Sequence, residues 1–551
     1  MAVALANRDP QIAPCSPPLV GRRKLRSNLV MWLFVLAMRC AVAQTVAVTT
    51  YHVDNYRTGW NKTETRLTPT AVSGSTFGIL RTVPLDQRVD AQPLVVPGVN
   101  VTAGKYQGRH NVVYVVTANT TVYMIDADNG TILLSTNFGH PAPKPPGCNS
   151  GKLGVGITST PVIDRASGTL YLMAYTNDTS GPTYRVHALD VGNLTDKVTP
   201  QIVSASHTLV NGKTFTFNAN YQRQRPGLLL VNGNVYAGFG SFCDLNANLS
   251  RGWVLGWNAA TLTPLVSNQL VDTQVGTTKT VFLSSIWMSG YALAADSAGN
   301  VLFATGNSEA GTYDGETNLQ ESAVKLSPDL SSVVDLFTPS DQHGLDLADI
   351  DFGSGGVMVL PDQGGNIPHL AVAAGKEGTM FLMNEDNLGG YSAFKDNVLG
   401  SYWVGHCWCG QSYFVDSDHV PRVVSSGGNV VRLWKLTTNP SPVLTSAGIS
   451  NPILTGQDPG FFTTISSNGM ATPVIWALSK DHVNNIYLYA YDPDTQVKGI
   501  IKQIYQNIVG SWPIPSANAN LVPVVANGKV YVASYQELTI LGLKHVAPSH
   551  P

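Results

Sequence analysis

The sequence has few charged residues. Asp, Glu, Lys and Arg make up 13% of its 551 residues, against about 25% in typical soluble domains. The formal net charge is −2, and basic side chains cluster only near the N-terminus. Nucleic-acid binding needs a basic surface, so the composition argues against a nucleic-acid partner.

Long hydrophobic runs are also missing. The one clear apolar run, Leu29 to Met38, is about ten residues long, too short to span a bilayer alone. It follows a basic stretch, residues 22–26, and precedes the small residues Ala41-Val42-Ala43. This order predicts a signal peptide or leader over residues 1–43, a periplasmic or secreted mature protein, and no membrane span after cleavage. An uncleaved membrane anchor is the alternative.

Cysteine is scarce, and four cysteines remain after the leader: Cys148, Cys243, Cys407 and Cys409. In an exported chain they permit two disulfides, with three alternative pairings. The Cys407-Trp408-Cys409 sequence has no second pair at zinc-ligand spacing, and we expect its cysteines to pair elsewhere or stay reduced. The sequence has no C-x-x-C-H motif for covalent haem. It also has no nucleophile elbow on a strand–helix turn, so a hydrolase is unsupported.

Apolar spacing of helical period is absent too, and short β-branched and aromatic runs bounded by Gly, Asn, Asp and Pro take its place. The runs recur every 40 to 60 residues or so from about residue 89 to 545, three or four strands in each repeat. Such repeats predict an all-β propeller of eight blades, or seven, because the repeat near residues 413–436 is faint. A solenoid is the structural rival.

The ring of a propeller must close. The strand at residues 77–83 is expected to complete the last blade from the opposite end of the chain. We therefore divide the sequence into a leader (1–43), an N-terminal extension (44–76), a single propeller domain (77–545) and a tail (546–551).

Two repeat ends carry a family resemblance. Ile125-Asp126-Ala127-Asp128-Asn129-Gly130 and Ala490-Tyr491-Asp492-Pro493-Asp494-Thr495 are similar to turns of the pyrroloquinoline quinone (PQQ) propellers, the quinoprotein alcohol dehydrogenase-like superfamily. The opening segment, residues 51–59, resembles the start of bacterial exported PQQ-repeat proteins of unassigned activity. The resemblance implies an eight-bladed propeller. The tryptophan that normally follows each turn in this family is largely missing, as is its adjacent-cysteine disulfide.

The resemblance also implies a set of site residues. Asp351 resembles the catalytic base and a calcium ligand, and Asp244 and Asn307 resemble the other calcium ligands, which suits a cation that prefers oxygen. The cofactor contacts implied in the same way are Asp90, Arg251, Trp287 and Lys376, although Trp287 lies about three residues early. Each of these residues also has a purely structural interpretation, as a turn acid, a turn lysine or a packing tryptophan.

Two functions follow from these observations. One is an exported dehydrogenase of alcohols, polyols or sugars that uses PQQ and calcium and passes electrons to an external acceptor. The other is a cofactor-free propeller that binds an envelope protein or a glycan, which the missing tryptophans and disulfide favour. The sequence alone leaves both open.

Overall fold

A computed structural model describes residues 45–148, 154–243, 249–275, 283–514 and 517–544. These described residues belong to one compact unit. Before blade 1, the described part of the chain contains strand β1 (Trp60–Asn61), helix α1 (Pro69–Ser73) and strand β2 (Phe77–Arg88), the last of which joins blade 8. Among the described residues, no helix has the length and apolarity that crossing a bilayer requires.

The described part of the chain forms eight blades, each with four strands and with one extra strand in blade 3 and in blade 4, which confirms the all-β, eight-bladed propeller. Blades 1 and 2 are β3 (Leu94–Val101), β4 (Gly108–Val116), β5 (Thr121–Asp126) and β6 (Ile132–Asn137), then β7 (Val162–Asp164), β8 (Thr169–Asp178), β9 (Gly181–Asp190) and β10 (Gln201–Ile202). A separate hairpin follows, of β11 (Ser206–Thr208) and β12 (Thr214–Thr216).

Blades 3 to 5 continue the pattern with small additions. Blade 3 is β13 (Gln222–Gln224), β14 (Leu229–Val231), β15 (Asn234–Ser241), β16 (Trp253–Asn258) and β17 (Gln269–Leu270); blade 4 is β18 (Ala294–Ala295), β19 (Val301–Ala304), β20 (Ala323–Leu326) and β21 (Val333–Thr338), followed by helix α2 (Gln342–Ala348). Blade 5 is β22 (Val357–Val359), β23 (Leu370–Ala374) and β24 (Thr379–Asn384), then β25 (Gly390–Tyr391), which pairs with β21, and β26 (Gly400–Trp403). Short 3₁₀ turns, Met288–Gly290 and Phe352–Ser354, precede blades 4 and 5.

Blades 6 and 7 share one continuous sheet through a parallel pairing of Ile449 with Ile500. Their strands are β27 (Ser412–Val415), β28 (Pro421–Ser425), β29 (Arg432–Thr437) and β30 (Val443–Ile449), then β31 (Phe462–Asn468), β32 (Ala471–Lys480), β33 (Asn485–Val497) and β34 (Ile500–Ser511). Blade 8 contains β35 (Val524–Ala526), β36 (Lys529–Ala533) and β37 (Tyr535–Leu543).

The ring is closed by strand β2, which pairs antiparallel with β37 from Phe77–Leu543 to Arg88–Tyr535. The prediction that the strand at residues 77–83 completes the last blade is therefore confirmed. Inner strands such as β8 and β23 are buried on both faces, because each blade packs against two neighbours. This explains their continuous apolar sequences, whereas the outermost strand β6 alternates between buried and exposed positions.

Residues 45–61, which we call the channel segment, contact the innermost strand of every blade in turn. The hydrogen bonds, in blade order, are Val48–Val95, Ile163 N–Thr49 O, Asn55 Nδ2–Leu230 O, Ala295 N–Asn55 O, Val359 N–Tyr56 O, Tyr413 N–Thr58 O, Ile465 N–Gly59 O and Asn61 Nδ2–Val525 O. This segment therefore lies on the axis of the ring and links all eight blades. It is a structural part of the propeller.

Two buried side chains stabilise the channel segment. Arg57 is fully buried, and its guanidinium donates to the backbone oxygens of Tyr51, Asp54 and Leu293 and to the hydroxyl of Thr50. His52 lies between the carbonyl oxygens of Arg57 and Thr463, at 2.8 and 2.7 Å. Burial lowers the pKa of His52 to about 4, although its two hydrogen bonds to carbonyl oxygens act in the opposite direction.

Replacement of Arg57 should test how much the ring depends on this segment. Arg57→Ala removes donors to several buried carbonyl oxygens, and we expect a loss of about 3 to 5 kcal/mol in the free energy of unfolding. Urea denaturation followed by circular dichroism measures it. The exposed residue Arg81 provides the control, because Arg81→Ala should change stability by less than about 0.5 kcal/mol. Equal effects of the two substitutions would contradict the central role of Arg57.

Candidate functional site

A cavity of about 430 Å³ lies at one end of the ring axis. Almost all of its lining residues belong to segments that lead into innermost strands of different blades, so it is located where the blades converge. The lining residues are Arg88, Asp90, Lys144, Val155, Arg223, Arg225, Cys243, Trp287, Ser289, Trp408, Asp458, Trp512, Ile514, Ala517, Asn518 and Asn520. We call it the axial cavity.

The axial cavity is rich in positive charge. Among the described residues, its lining contains four basic side chains (Arg88, Lys144, Arg223 and Arg225) and two acidic ones (Asp90 and Asp458). Burial, together with the charges of Arg223 and Arg88, lowers the pKa of Lys144 to about 8. Clustered, partly desolvated cations are costly unless an anion balances them, so the cavity is suited to an anionic ligand.

Asp90 partly balances this charge. Burial alone would raise its pKa, but the neighbouring Arg88, Arg225 and Arg223 outweigh burial and lower it. The Arg88 Nε atom lies 2.9 Å from Asp90 Oδ2. The guanidinium of Arg225 donates to the carbonyl oxygen of Thr158, and the Nε atom of Arg223 is buried without a hydrogen-bond partner. The structure therefore places the predicted cofactor contact Asp90 in the cavity, beside arginines that sequence reasoning did not single out.

Tryptophans form part of the cavity wall and connect it to Lys376. The Lys376 ammonium lies 5.8 Å from the ring centre of Trp287 and 5.6 Å from that of Trp408. Both distances are within the range of cation–π attraction. A planar ligand between such rings would therefore lie close to the positive charge of Lys376.

Three glycines allow the segments around Asp351 to approach closely. A Cβ atom on Gly306 would lie 2.4 Å from Asp351 Oδ1, one on Gly353 would lie 2.4 Å from the Gly306 nitrogen, and one on Gly375 would lie 2.5 Å from the Phe352 Cα. A larger residue would displace the Asp351 carboxylate at Gly306 and would need movement of the backbone at Gly353 and Gly375. The glycines thus bring Asn307, Asp351 and Lys376 together from the ends of three different strands.

Asp351 is fully buried and held on both carboxylate oxygens. Oδ1 accepts a 2.9 Å hydrogen bond from the Asn307 backbone N–H, and Oδ2 forms an ion pair with Lys376. Burial alone would lower the pKa of Lys376, but the carboxylates of Asp351 and Asp349 outweigh burial and raise it. Of the predicted site residues, the structure thus brings Asp351, Asn307, Lys376 and Trp287 together.

Two further buried acids lie behind Asp351. Glu321 is fully buried and accepts a 2.6 Å hydrogen bond from the Phe352 N–H. Burial, with the charges of Asp351 and Asp346, raises its pKa well above the usual range. Burial also raises the pKa of Asp346 to about 7. A short run from Asp346 to Asp351 therefore carries several carboxylates, and Glu321 adds one from the preceding blade.

Buried oxygens without partners test whether the site fits a metal ion. Asn307 Oδ1 and Glu321 Oε1 are both buried and have no hydrogen-bond donor. Together with the Asp351 carboxylate they are hard oxygen donors, the kind calcium prefers. No group of three His, Cys, Asp or Glu side chains with metal-ligand geometry occurs among the described residues, so a bound ion would need the Asn307 amide. These oxygens are of the type that calcium binds, and the cationic, tryptophan-lined cavity is of a type that suits a planar polyanion.

Another predicted cofactor contact, Arg251, is not in the cavity. Arg251 is fully buried and donates to the Asp272 carbonyl oxygen at 2.9 Å, with its guanidinium 4.7 Å from the ring centre of Phe215. It is not among the lining residues, so the structure gives it a packing position behind the site. Asp244, the third predicted calcium ligand, lies outside the described residues.

The disulfides differ from the sequence-based prediction. Cys407 pairs with Cys409, with Cα atoms 4.9 Å apart, and Cys148 pairs with Cys243, with Cα atoms 5.2 Å apart. The prediction that Cys407 and Cys409 pair elsewhere or stay reduced is wrong, because the chain between them turns back on itself. That turn presents Trp408 to the axial cavity.

Sequence reasoning missed several residues of this site. Arg223 and Arg225 lie in Gln222-Arg223-Gln224-Arg225, two arginines at strand spacing just before Pro226, in a chain that is otherwise poor in charge. That contrast was the available signal. The sequence gave no signal for Glu321, because a single acidic residue beside a strand resembles any acidic turn residue.

Comparison with known proteins shows the fold. No protein-family profile matches the chain, and no curated sequence matches it. The quinohemoprotein alcohol dehydrogenase of Comamonas testosteroni superposes with a TM-score of 0.58 at 13% identity, over 93% of this chain and 82% of that one.

Two other solved structures superpose on this chain with similar TM-scores and similarly low identities. A quinohemoprotein alcohol dehydrogenase from Pseudomonas putida HK5 gives a TM-score of 0.57 at 12% identity over 92% of this chain and 81% of that one. A europium-containing methanol dehydrogenase gives 0.56 at 11% identity over 90% and 98%. The chain therefore has the β-propeller fold of the quinoprotein alcohol dehydrogenases.

Proposed function

We propose that the protein is an exported dehydrogenase that oxidises alcohols, polyols or sugars with PQQ and calcium. The observation that carries this proposal is the cationic, tryptophan-lined axial cavity, which lies directly beside the buried Asp351–Lys376 pair. PQQ is a planar aromatic tricarboxylate, and its shape and charge match such a cavity.

The chain offers distinct groups for each part of the cofactor. Arg88, Arg223, Arg225 and Lys144 would bind its carboxylates, and the rings of Trp287 and Trp408 would contact its plane. Asn307, Asp351 and Glu321 would hold the calcium ion through oxygen atoms. When bound, the quinone supplies a two-electron acceptor and calcium supplies a Lewis acid.

The residues of the chain itself would move the proton and stabilise charge. The Asp351 carboxylate, oriented by the Asn307 N–H and by Lys376, would take the hydroxyl proton of the substrate as a general base. The Lys376 ammonium would stabilise negative charge that develops next to the tryptophans. Burial of Asp351 keeps water from competing for this proton.

Two further features bear on the compartment in which the protein would work and on its electron acceptor. The disulfides Cys148–Cys243 and Cys407–Cys409 suit an oxidising compartment, in the periplasm or outside the cell. The sequence has no C-x-x-C-H motif for covalent haem, so a separate acceptor would receive the electrons.

Binding of PQQ is the first test. Addition of PQQ with calcium to the purified protein should quench tryptophan fluorescence and saturate at micromolar concentrations or below. Arg225→Ala should weaken PQQ binding about tenfold or more, because it removes a charge-assisted contact. Glu316→Gln changes an exposed side chain that does not line the cavity and should leave affinity unchanged. Failure of PQQ to bind at about 100 μM would reject the proposal.

Substitution of Asp351 separates catalysis from binding. Asp351→Asn keeps the size of the side chain but removes the base, so kcat for dye-linked alcohol oxidation should fall about 10²- to 10⁴-fold. PQQ affinity should change much less, since the cavity cations remain. A kcat within about twofold of the wild-type value would show that Asp351 is not the base.

The pH dependence of PQQ binding should reveal Lys144. An anion favours protonated Lys144, so affinity is highest below the free-protein pKa of about 8 and falls as the pH rises through that value. We expect about a fivefold loss between pH 7 and pH 9, measured by fluorescence titration. Lys144→Met should bind more weakly at pH 7 and lose this pH step. If the fall in affinity with rising pH persists in Lys144→Met, a group other than Lys144 is responsible for it.

A further inference from the structure

A second cavity, of about 510 Å³, lies at the opposite end of the ring axis from the axial cavity. Asp351 and Trp408 precede the innermost strands β22 and β27, whereas Asp362 follows β22 and Val415 ends β27. Asp362 and Val415 line this second cavity, which we call the distal cavity. The channel segment, hydrogen-bonded to Val359 and Tyr413 in these strands, separates the two.

Aromatic rings form much of the distal cavity wall. Tyr56, Trp60 and Tyr413 all line it, and the rings of Trp60 and Tyr413 meet at 71° with centres 6.2 Å apart. The Trp60 indole N–H donates to Ser467 Oγ at 2.7 Å, and Tyr413 OH accepts from Gln363 Nε2 at 3.0 Å. Because these bonds fix both rings, the walls are arranged before any ligand binds.

The charge around these rings is mainly negative. Asp54 and Asp362 line the cavity together with one basic residue, Lys62. Burial raises the pKa of Tyr56, and the acids Asp362, Glu385, Asp296 and Asp54 raise it further. Lys325 balances part of this charge, since its ammonium lies 2.8 Å from Glu385 Oε1 and 3.4 Å from Asp296 Oδ2. Acids therefore outnumber bases here, the reverse of the axial cavity.

Asp362 is the most accessible of these acids. Its side chain is 73% exposed, whereas the Asp54 carboxylate is occupied by the backbone N–H and the hydroxyl of Thr58, at 3.1 and 2.5 Å. A ligand in the distal cavity would thus meet aromatic walls and a carboxylate at the rim.

We propose that the distal cavity binds a small organic cation of the quaternary ammonium type. Such ligands are held by aromatic faces placed at angles to one another, with acids that add long-range attraction. A neutral sugar would use the rings but gain nothing from the acids. This proposal does not rest on the dehydrogenase function, and its test needs neither quinone nor calcium.

The test compares choline with 3,3-dimethyl-1-butanol, which has the same shape but carries no charge. Choline should bind the full-length exported protein with a dissociation constant near about 1 mM, and the neutral compound about tenfold more weakly, by isothermal titration calorimetry. Equal affinities would overturn the proposal, as would binding of glucose in preference to choline. No heat from choline at about 20 mM would overturn it too.

Variants of the lining locate the site. Trp60→Ala should weaken choline binding about tenfold. Trp60→Phe should have an affinity between those of the wild type and Trp60→Ala, and it serves as the test if the alanine variant does not fold. Asp362→Asn should weaken binding about threefold, and Lys62→Gln should strengthen it about threefold. Glu316→Gln, a charge removal at an exposed site elsewhere, is the matched control and should have no effect. Choline affinity that is unchanged in Trp60→Phe and Asp362→Asn would place binding outside the distal cavity and refute the proposal.

Discussion

The structure depends on hydrogen bonds between the channel segment and the innermost strands. Each innermost strand has one edge facing the axis, where no further strand of its own blade can pair. The backbone and side-chain groups of residues 48–61 occupy these edges one blade after another. Unpaired backbone groups in a buried channel would be costly, so the segment satisfies a need that blade-to-blade packing leaves open.

Tyr291 shows how closely this centre is packed. Its ring contacts Tyr51 and His52, with centres 5.1 and 5.3 Å away, and its hydroxyl donates to the Arg57 carbonyl oxygen. A Cβ atom on Gly356 or Gly410 would lie only 2.0 or 2.2 Å from ring atoms of Tyr291. Glycine is therefore required in two neighbouring blades. With the centre filled in this way, the channel is divided into two separate cavities, one with mainly basic and the other with mainly acidic lining side chains among the described residues.

Much of the fold could be predicted from the sequence because local sequence patterns determine its strands and turns. Strand-length apolar runs and turn residues revealed the repeats, and the strand at Phe77 had to find a partner, which proved to be β37. The sequence also pointed to Asn307, Asp351 and Lys376 as site residues, through the family resemblance of the motifs that contain them. The Cys407–Cys409 pairing could not be predicted, since it depends on how two residues of backbone bend.

The arginines of the axial cavity and the role of the channel segment were hidden for another reason. Arg88 and Arg225 are 137 positions apart in the numbering, and they share a cavity only after the ring has formed. Likewise, the carbonyl groups that bind Arg57 belong to residues scattered from Tyr51 to Leu293. No local sequence pattern shows that these residues are neighbours, because they meet only in the folded ring.

The pairing of the two chain ends also bears on how the protein folds. The Val46 N–H donates to the Asn527 side chain, a contact between residues 481 positions apart. Contacts of such large sequence separation form slowly, because the chain must first lose the entropy of closing a very long loop. The last contacts of the channel segment can therefore form only after blade 8 has been synthesised. Until each contact forms, the innermost strand that lacks its partner exposes an edge that can aggregate.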